Sequence, residues 1–456
     1  MSKFLLPVFI VVNFIFYYFS YDGATFIEGA DASQYYLPAL SLLESGEFRF
    51  GEETLTFGPP LYSIFLAIPI GVFGLEGSSM AIVALQSLLL FFTGYLSKLT
   101  LLLFYSGHRR KFYSLLLHAL IIFNPNSLIT AHLIQSETLF TFILCAAVFM
   151  SFKVLNEFSL KNLILLGLFT GLATLVRPVG LYLLISWPVF LWVAIILKQT
   201  KIRKIKLVVP VLIGAMVISP WYVRNYIEFD ELFYTSNSGA YLNAQYIQLK
   251  HRGSGWSRER ANERYYSYFK QFIKQENSAE QEKLCLQHKR DWFCSKQISH
   301  TSLQLILIEP MSVHFKALID SLATLFLSGG ASNITNYLGI DGKKDIVNFQ
   351  TLEFRGIESI KYFLNNIDLP YLLILIVTML FTIVTRVIGI IGLFYMFKKH
   401  EWLPIGVLLV EIIVIFTASY LYLGQSRFRV PLEPILMLLV VIGVAFLVNR
   451  RQISST

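Results

Sequence analysis

The sequence predicts an all-α polytopic membrane protein, and three observations carry that prediction. Of its 456 residues 55% are apolar and only 15% charged, with a mean hydropathy of +0.59, whereas soluble globular chains carry about 25% charged residues. Apolar runs near or above bilayer length recur at 4–19, 80–105, 138–155, 181–197, 370–397 and 431–448. The cations gather in short clusters between those runs, at 109–111, 198–206, 398–399 and 450–451, as cytoplasmic loops do under the positive-inside rule. This composition excludes an ordinary cytosolic enzyme, and 39 Phe with 24 Tyr exclude a disordered chain. The loop clusters account for the net charge of +9 without any basic face on a soluble fold, so nucleic acid is not a predicted partner.

Each element follows from the same rules. Only Lys3 precedes the run at 4–19, while Asp22, Glu28, Asp31, Glu44, Glu47, Glu52 and Glu53 follow it. The start is therefore cytoplasmic and the first loop lies outside. No A-x-A-like cleavage site follows the run, which is read as a retained first helix rather than a signal peptide. The apolar stretch 59–74 is short for a span and opens on Pro-Pro; if it crossed, His108 to Lys111 would land outside. It is placed at the outer surface as an interfacial helix. Spans then follow at 80–105, 112–124, 138–155, 162–176, 179–197, 207–221, 370–397, 402–423 and 430–448, about ten with the first, leaving both termini cytoplasmic. On this topology fifteen Lys and Arg fall on inner segments, against Glu157 and Glu401. The stretches 112–124 and 162–176 are short enough to be re-entrant instead.

Three parts result: an N-terminal transmembrane module at 1–221 with its first outer loop at 20–79, an outer domain of mixed polarity at 222–369, and C-terminal transmembrane helices at 370–456. Too long for a linker, the middle part reads as folded. Within it 311–327 is amphipathic, carries His314, Lys316 and Asp320, and is placed along the membrane surface as a juxtamembrane helix. Cys145 lies inside a span as a packing residue. Cys285 and Cys294 lie in the outer domain, and whether they form a disulfide is left open. No His/Cys/Asp spacing resembles a metal site, and there is neither a phosphate-binding glycine loop nor a G-x-S-x-G elbow. Neither a cofactor nor a divalent metal is expected.

Polar groups at the edge of a span are expensive and often functional. Asp31 lies in the first outer loop, Glu137 opens the fourth span, and Arg177-Pro178 forms the outer turn between the fifth and sixth. Arg224 and Asn225 follow Pro220-Trp221 outside the seventh, and Arg427 and Arg429 occupy the outer turn before the tenth. Any one arginine reads equally as an anchor that snorkels to headgroups. Gathered on the outer face, where cations are sparse, they suit a phosphate, because the planar guanidinium pairs with its oxygens in bidentate fashion. Phosphate at a membrane face suggests a lipid-linked substrate. An acid beside it suits removal of a proton from an attacking hydroxyl.

The order Asp31-x-x-x-Tyr35, Gly58-Pro59-Pro60-Leu61-Tyr62, Asn124-Pro125 with Ser136-Glu137, Gly171-Leu172-Ala173 leading to Arg177-Pro178, Pro220-Trp221-x-x-Arg224-Asn225-Tyr226, and Arg427-Phe428-Arg429-x-Pro431-Leu432 resembles the GT-C superfamily of membrane glycosyltransferases. Within it the chain is most similar to the branch of protein mannosyltransferases and the lipid A aminoarabinose transferase, the glycosyltransferase family 39-like branch. The resemblance implies a sugar donor on a polyprenyl phosphate, cleaved with inversion, and an acceptor hydroxyl on a lipid, glycan or protein. It implies Asp31 as the catalytic acid and Arg177, Arg224, Arg427 and Arg429 as holders of the donor phosphate. Tyr35, Tyr62, Glu137 and Asn225 would line the substrate pocket. Three departures stand out. Ala32 follows Asp31 where protein mannosyltransferases carry Asp-Glu, and Gly58 replaces the Lys or His that relatives place before Pro-Pro. The long carbohydrate-recognition insert of the eukaryotic enzymes is also missing. A bacterial enzyme of the inner membrane, with its site on the periplasmic side, is the resulting expectation. A transporter or flippase for lipid-linked saccharides is the alternative, favoured by Arg386 and Glu411 inside spans, which would pair with each other or line the donor groove. A polymer ligase would use the same topology.

Overall fold

Backbone polar groups have no water to bond in lipid, so the apolar runs close their hydrogen bonds internally and become helices. The computed structural model describes residues 2–20, 31–51, 53–107, 109–198, 204–276, 285, 292–340, 368–399 and 402–453. Asp22, Glu28, Glu52, His108, Glu401 and most of the basic segment 198–206 lie outside these.

The membrane-associated helices are α1 (Ser2–Ser20), α2 (Ser33–Ser45), α3 (Leu61–Gly77), α4 (Ser79–Phe104), α5 (Arg110–Ile122), α6 (Pro125–Ala131), α7 (Glu137–Asn156), α8 (Leu160–Val176), α9 (Gly180–Lys198) and α10 (Val209–Phe229). The middle part folds into α11 (Ser238–Ser254), α12 (Arg258–Glu276), α13 (Trp292–Leu307), α14 (Met311–Leu327) and α15 (Ala331–Tyr337). α16 (Leu369–Lys398), α17 (Leu403–Ser419), a 3-10 turn at Ser426–Leu432 and α18 (Glu433–Ile453) complete the chain. Among the described residues one sheet occurs, the antiparallel pair β1 (Arg49–Phe50) and β2 (Glu53–Thr54).

Every predicted span falls on a helix. Among the described residues five helices are long and apolar enough to cross a membrane, or up to seven if each of two bent pairs is one span, and five shorter apolar helices accompany them. One bent pair explains the short stretch at 112–124: α5 and α6 meet at 54°, where Asn124 accepts from the amides of Asn126 and Ser127 ahead of Pro125. The stretch predicted to end at 221 continues instead to Phe229, straight through Pro220, and so carries Arg224 and Asn225 on the helix itself. Proline is tolerated in membrane helices where neighbours re-satisfy the freed carbonyl.

α18 is the most enclosed span, with 83% of its apolar window buried. α16 lies across it, and the backbones approach so closely that a Cβ on Gly392 would stand 1.9 Å from the Leu439 carbonyl oxygen, and one on Gly443 2.3 Å from that of Ile388. Small residues at such crossings let membrane helices gain packing that the hydrophobic effect does not supply in lipid. α1 is tied into the bundle by Asn13, whose Oδ1 accepts from Ser87 Oγ at 2.9 Å and meets His132 Nε2 at 2.9 Å. Outward faces of α1, α9 and α16 are apolar and exposed, as a lipid-facing perimeter requires. At the end of the bundle bearing Lys399, the Trp402 ring gathers Phe104, Tyr105 and Tyr395, an aromatic belt of the kind found at a membrane interface.

The middle part has its own apolar core, made by Tyr246, Tyr265, Phe269, Ile273, Ile298 and Leu305 around Cys285 and Cys294, which are joined as a disulfide. Two ion pairs tie α11 to its neighbours: Lys250 Nζ to both Glu309 oxygens at 2.9 Å, and Arg252 to Asp320.

Candidate active site

Three helix ends and one loop converge at the end of the bundle where α7 begins and α8 finishes. α8 stops because Pro178 disfavours helical geometry in the residue before it, and Arg177 is extended at φ −146°, ψ 136°. Its side chain is thereby directed at Glu137, the first residue of α7, where the helix dipole favours an anion. The 3-10 turn brings Arg427 to the same place, and Asp31, just ahead of α2, meets it from the first loop.

Arg177 Nη1 lies 2.8 Å from Glu137 Oε1 and donates to Ser136 Oγ at 3.1 Å, while Nη2 donates to the Tyr420 hydroxyl at 3.2 Å. Arg427 Nη2 donates to Asp31 Oδ2 at 2.5 Å, and its buried Nε stands 4.0 Å from Glu137 Oε1, without a hydrogen bond among the described residues. Glu137 is deeply buried with its side chain 3% exposed, whereas Asp31 is the most open of the four at 33%. The Tyr35 hydroxyl and Ser136 Oγ are 3.1 Å apart, and the Tyr35 ring meets Tyr62 edge-on at 4.9 Å. Tyr62 donates to Gln86 Oε1 at 2.8 Å. On the opposite side Tyr420 stacks on Phe428 at 4.3 Å, and the Arg427 guanidinium lies 4.8 Å from the Phe428 ring.

Burial works against the Arg177 cation, but the Glu137 carboxylate, with lesser help from Tyr420 and Tyr35, outweighs it and holds the guanidinium well above its ordinary pKa. Burial likewise raises the Tyr35 phenol, so it remains a neutral hydrogen-bonding group.

The predicted constellation is therefore brought together in part. Asp31, Tyr35, Tyr62, Glu137, Arg177 and Arg427 share one site. Arg224 is elsewhere: it donates to the carbonyls of Leu55 at 2.7 Å and Phe48 at 3.3 Å, and stacks on Trp221, bracing the β1–β2 hairpin. Asn225 is fully buried beside it and donates to the Phe233 carbonyl at 2.9 Å. Arg429 points into the bundle, 2.5 Å from Glu433 Oε1, and donates to the carbonyls of Leu325 and Ser328. Arg386 pairs with that same Glu433 at 2.8 Å, not with Glu411. Asn124 Nδ2 donates to the other Glu433 oxygen at 3.0 Å, completing a buried network. Ser136, Tyr420 and Phe428 belong to the site without having been predicted in it. Ser136 and Phe428 flank predicted residues in sequence, which is a usable signal. Tyr420 was hidden at the tail of a predicted span.

Among the described residues no group of three or more His, Cys, Asp or Glu is placed to hold a metal ion.

The polytopic helical bundle that carries these paired acids and arginines at one end has counterparts of the same fold among solved membrane proteins. Among solved structures it resembles the archaeal oligosaccharyltransferase AglB from Archaeoglobus fulgidus, in complex with an inhibitory peptide and a dolichol-phosphate. The TM-score is 0.50 at 14% identity, covering 100% of this chain and 51% of that one. The apo form of the Archaeoglobus fulgidus oligosaccharyltransferase gives 0.51 at 12% identity, covering 99% and 51%. This chain thus spans about half the length of that enzyme. ArnT from Cupriavidus metallidurans bound to undecaprenyl phosphate aligns at a TM-score of 0.42 and 12% identity, over 97% of this chain and 77% of that one. No protein-family model matches the chain, and no curated protein matches it significantly.

Proposed function

We propose that this integral membrane protein is a glycosyltransferase that moves a sugar from a polyprenyl-phosphate donor to an acceptor hydroxyl, with inversion. One observation carries the reading: a solvent-reached carboxylate, Asp31, is paired with one largely buried arginine, Arg427, while a second, Arg177, is held by Glu137 in the same cluster at the end of the bundle. In this reading Asp31 takes the acceptor's proton, and Arg177 and Arg427 meet the charge that develops on the departing phosphate. Glu137 sets the position of Arg177. The half-buried Tyr35 ring suits the apolar face of a sugar ring, and the fully buried Tyr62 backs it edge-on. Arg224, Asn225 and Arg429 serve the frame rather than the phosphate, since their polar atoms are bonded to the protein itself.

AglB has been solved with a dolichol-phosphate, which supports a lipid-phosphate donor here. The Cys285–Cys294 disulfide supports an oxidising compartment for the middle part, hence a periplasmic site, cytoplasmic termini and a bacterial inner membrane. The division into a module at 1–221, an outer domain at 222–369 and C-terminal helices at 370–456 belongs to the same proposal. So does an acceptor drawn from lipid A, a glycan or a protein. No specific observation favours transport: Arg386 is spent on Glu433 and does not pair with Glu411.

The test is mass spectrometry of the purified protein in nanodiscs with polyprenyl-phosphate sugars and candidate acceptors. Transfer of a sugar mass by wild type, lost in a folded Asp31→Asn variant, is the expected result. Undiminished transfer by that variant removes Asp31 as the base, and an untouched donor with every acceptor defeats the reading.

A further inference from the structure

Two carboxylates and two guanidinium groups face each other in this site, so their formal charges cancel. A phosphate monoester, with its second negative charge, therefore competes with an acid for a cation that the acid already holds. Arg177 is committed on three sides, to Glu137, Ser136 and Tyr420. Arg427 is differently placed. Its hydrogen bond goes to Asp31, Glu137 stands farther off at 4.0 Å, and its buried Nε donates to nothing among the described residues. Its backbone, by contrast, is pinned: Arg429, two residues on in the same 3-10 turn, is fixed by Glu433 and the carbonyls of Leu325 and Ser328. A guanidinium with an unused donor thus projects from a fixed turn toward the most solvent-open acid of the cluster.

We propose that Arg427 serves the acid and the phosphate in turn, holding Asp31 until that carboxylate is protonated and then pairing with the leaving phosphate. This deepens the transferase reading and rests on it. The step balances. The acceptor hydroxyl gives its proton to Asp31, and its oxygen uses an electron pair to bond the anomeric carbon. The bond from that carbon to the phosphoryl oxygen breaks, with its electrons going to the phosphate. A singly charged phosphodiester becomes a doubly charged monoester while Asp31 goes from charged to neutral. Total charge in the site is unchanged, and Arg427 exchanges one anion for another just as the first disappears. Glu137 and Arg177 remain paired throughout, a fixed reference against which the exchange takes place. An uncompensated buried guanidinium, which would be costly, never arises.

Such competition predicts a result that neither a simple base nor a structural salt bridge would give. Binding of undecaprenyl phosphate, the product-like probe, is measured in nanodiscs for wild type, Asp31→Asn, Arg427→Gln and the double variant, with thermal unfolding recorded for each. Asp31→Asn is expected to bind the probe about tenfold more tightly than wild type, as removal of one competing charge should allow. The gain should vanish in the Arg427→Gln background. Equal or weaker binding by Asp31→Asn, or a gain that persists without Arg427, overturns the exchange while leaving the transferase reading in place. Failure of both wild type and Asp31→Asn to bind the probe overturns the reading beneath it as well. If Arg427→Gln does not fold, Arg427→Met takes its place in the cycle with the same two outcomes.

Discussion

At the scale of single residues, the site depends on where two arginines spend their donors. Arg177 reaches Glu137 because Pro178 turns it out of α8, and its fork serves three acceptors at once. Lysine would keep the charge but not the fork. Arg177→Lys is therefore expected to lower transfer about 100-fold, as loss of one transition-state donor does elsewhere, with little change in melting temperature. Arg224 should behave in the opposite way. Its donors end on the carbonyls of Phe48 and Leu55, so Arg224→Ala is expected to cost about 1.5–3 kcal/mol of stability while the folded fraction keeps its turnover. Thermal unfolding and specific activity, measured side by side, separate the two. Sequence alone does not distinguish these arginines: both lie within four residues of a proline at the same predicted edge of the membrane. Which acceptor each one meets is a tertiary fact, decided by the hairpin in one case and by α7 in the other.

At the scale of elements, the 3-10 turn and α18 are held by a network that the sequence only half reveals. Arg386, Arg429 and Asn124 come from three separate segments and all converge on Glu433. Glu433→Gln leaves two buried guanidinium groups without their anion, a loss of about 3–5 kcal/mol. It should appear as a large drop in melting temperature; an unchanged melt would show the network to be energetically idle. Arg386 is recognisable as an anomaly inside a span, but its partner is not, because Glu433 reads as an ordinary helix-opening acid. The bend between α5 and α6 is more legible, since Asn124-Pro125 is both a cap and a breaker. α14 is legible through its apolar stripe: Met311, Phe315 and Ile319 are all exposed on one face. A spin label at Phe315→Cys is expected to be more accessible to oxygen than to a water-soluble nickel chelate, as a residue lodged at the lipid interface would be.

At the scale of the whole molecule, alternating apolar runs and cation clusters carry enough information to locate every predicted span on a helix. They do not fix how many helices cross, because packing lets short and bent helices share the work with the long ones. The middle part was far less legible. Its helices α11 and α13 bury Gln, Ser and Thr along with apolar residues, so no clean periodicity marks them. The Cys285–Cys294 bond closes a short loop within its separate core. Cys285→Ser with Cys294→Ser should destabilise that core by about 2–3 kcal/mol. Proteolysis after mild heating is expected to attack the middle part first and leave the membrane bundle protected.

The Asp31–Arg427 contact joins residues 396 positions apart. The Glu137–Arg177 contact, by comparison, closes within the first half of the chain. Biogenesis therefore meets the two pairs in order: one ion pair is available once α8 has been made, whereas the other waits for the 3-10 turn ahead of α18 to leave the ribosome. A nascent or truncated chain ending before the 3-10 turn retains its acid in the first loop with no counter-ion from that turn. Synthesis of the 3-10 turn is thus written into the chemistry of the site, which separates a chain that has passed that turn from one interrupted before it, without any additional signal.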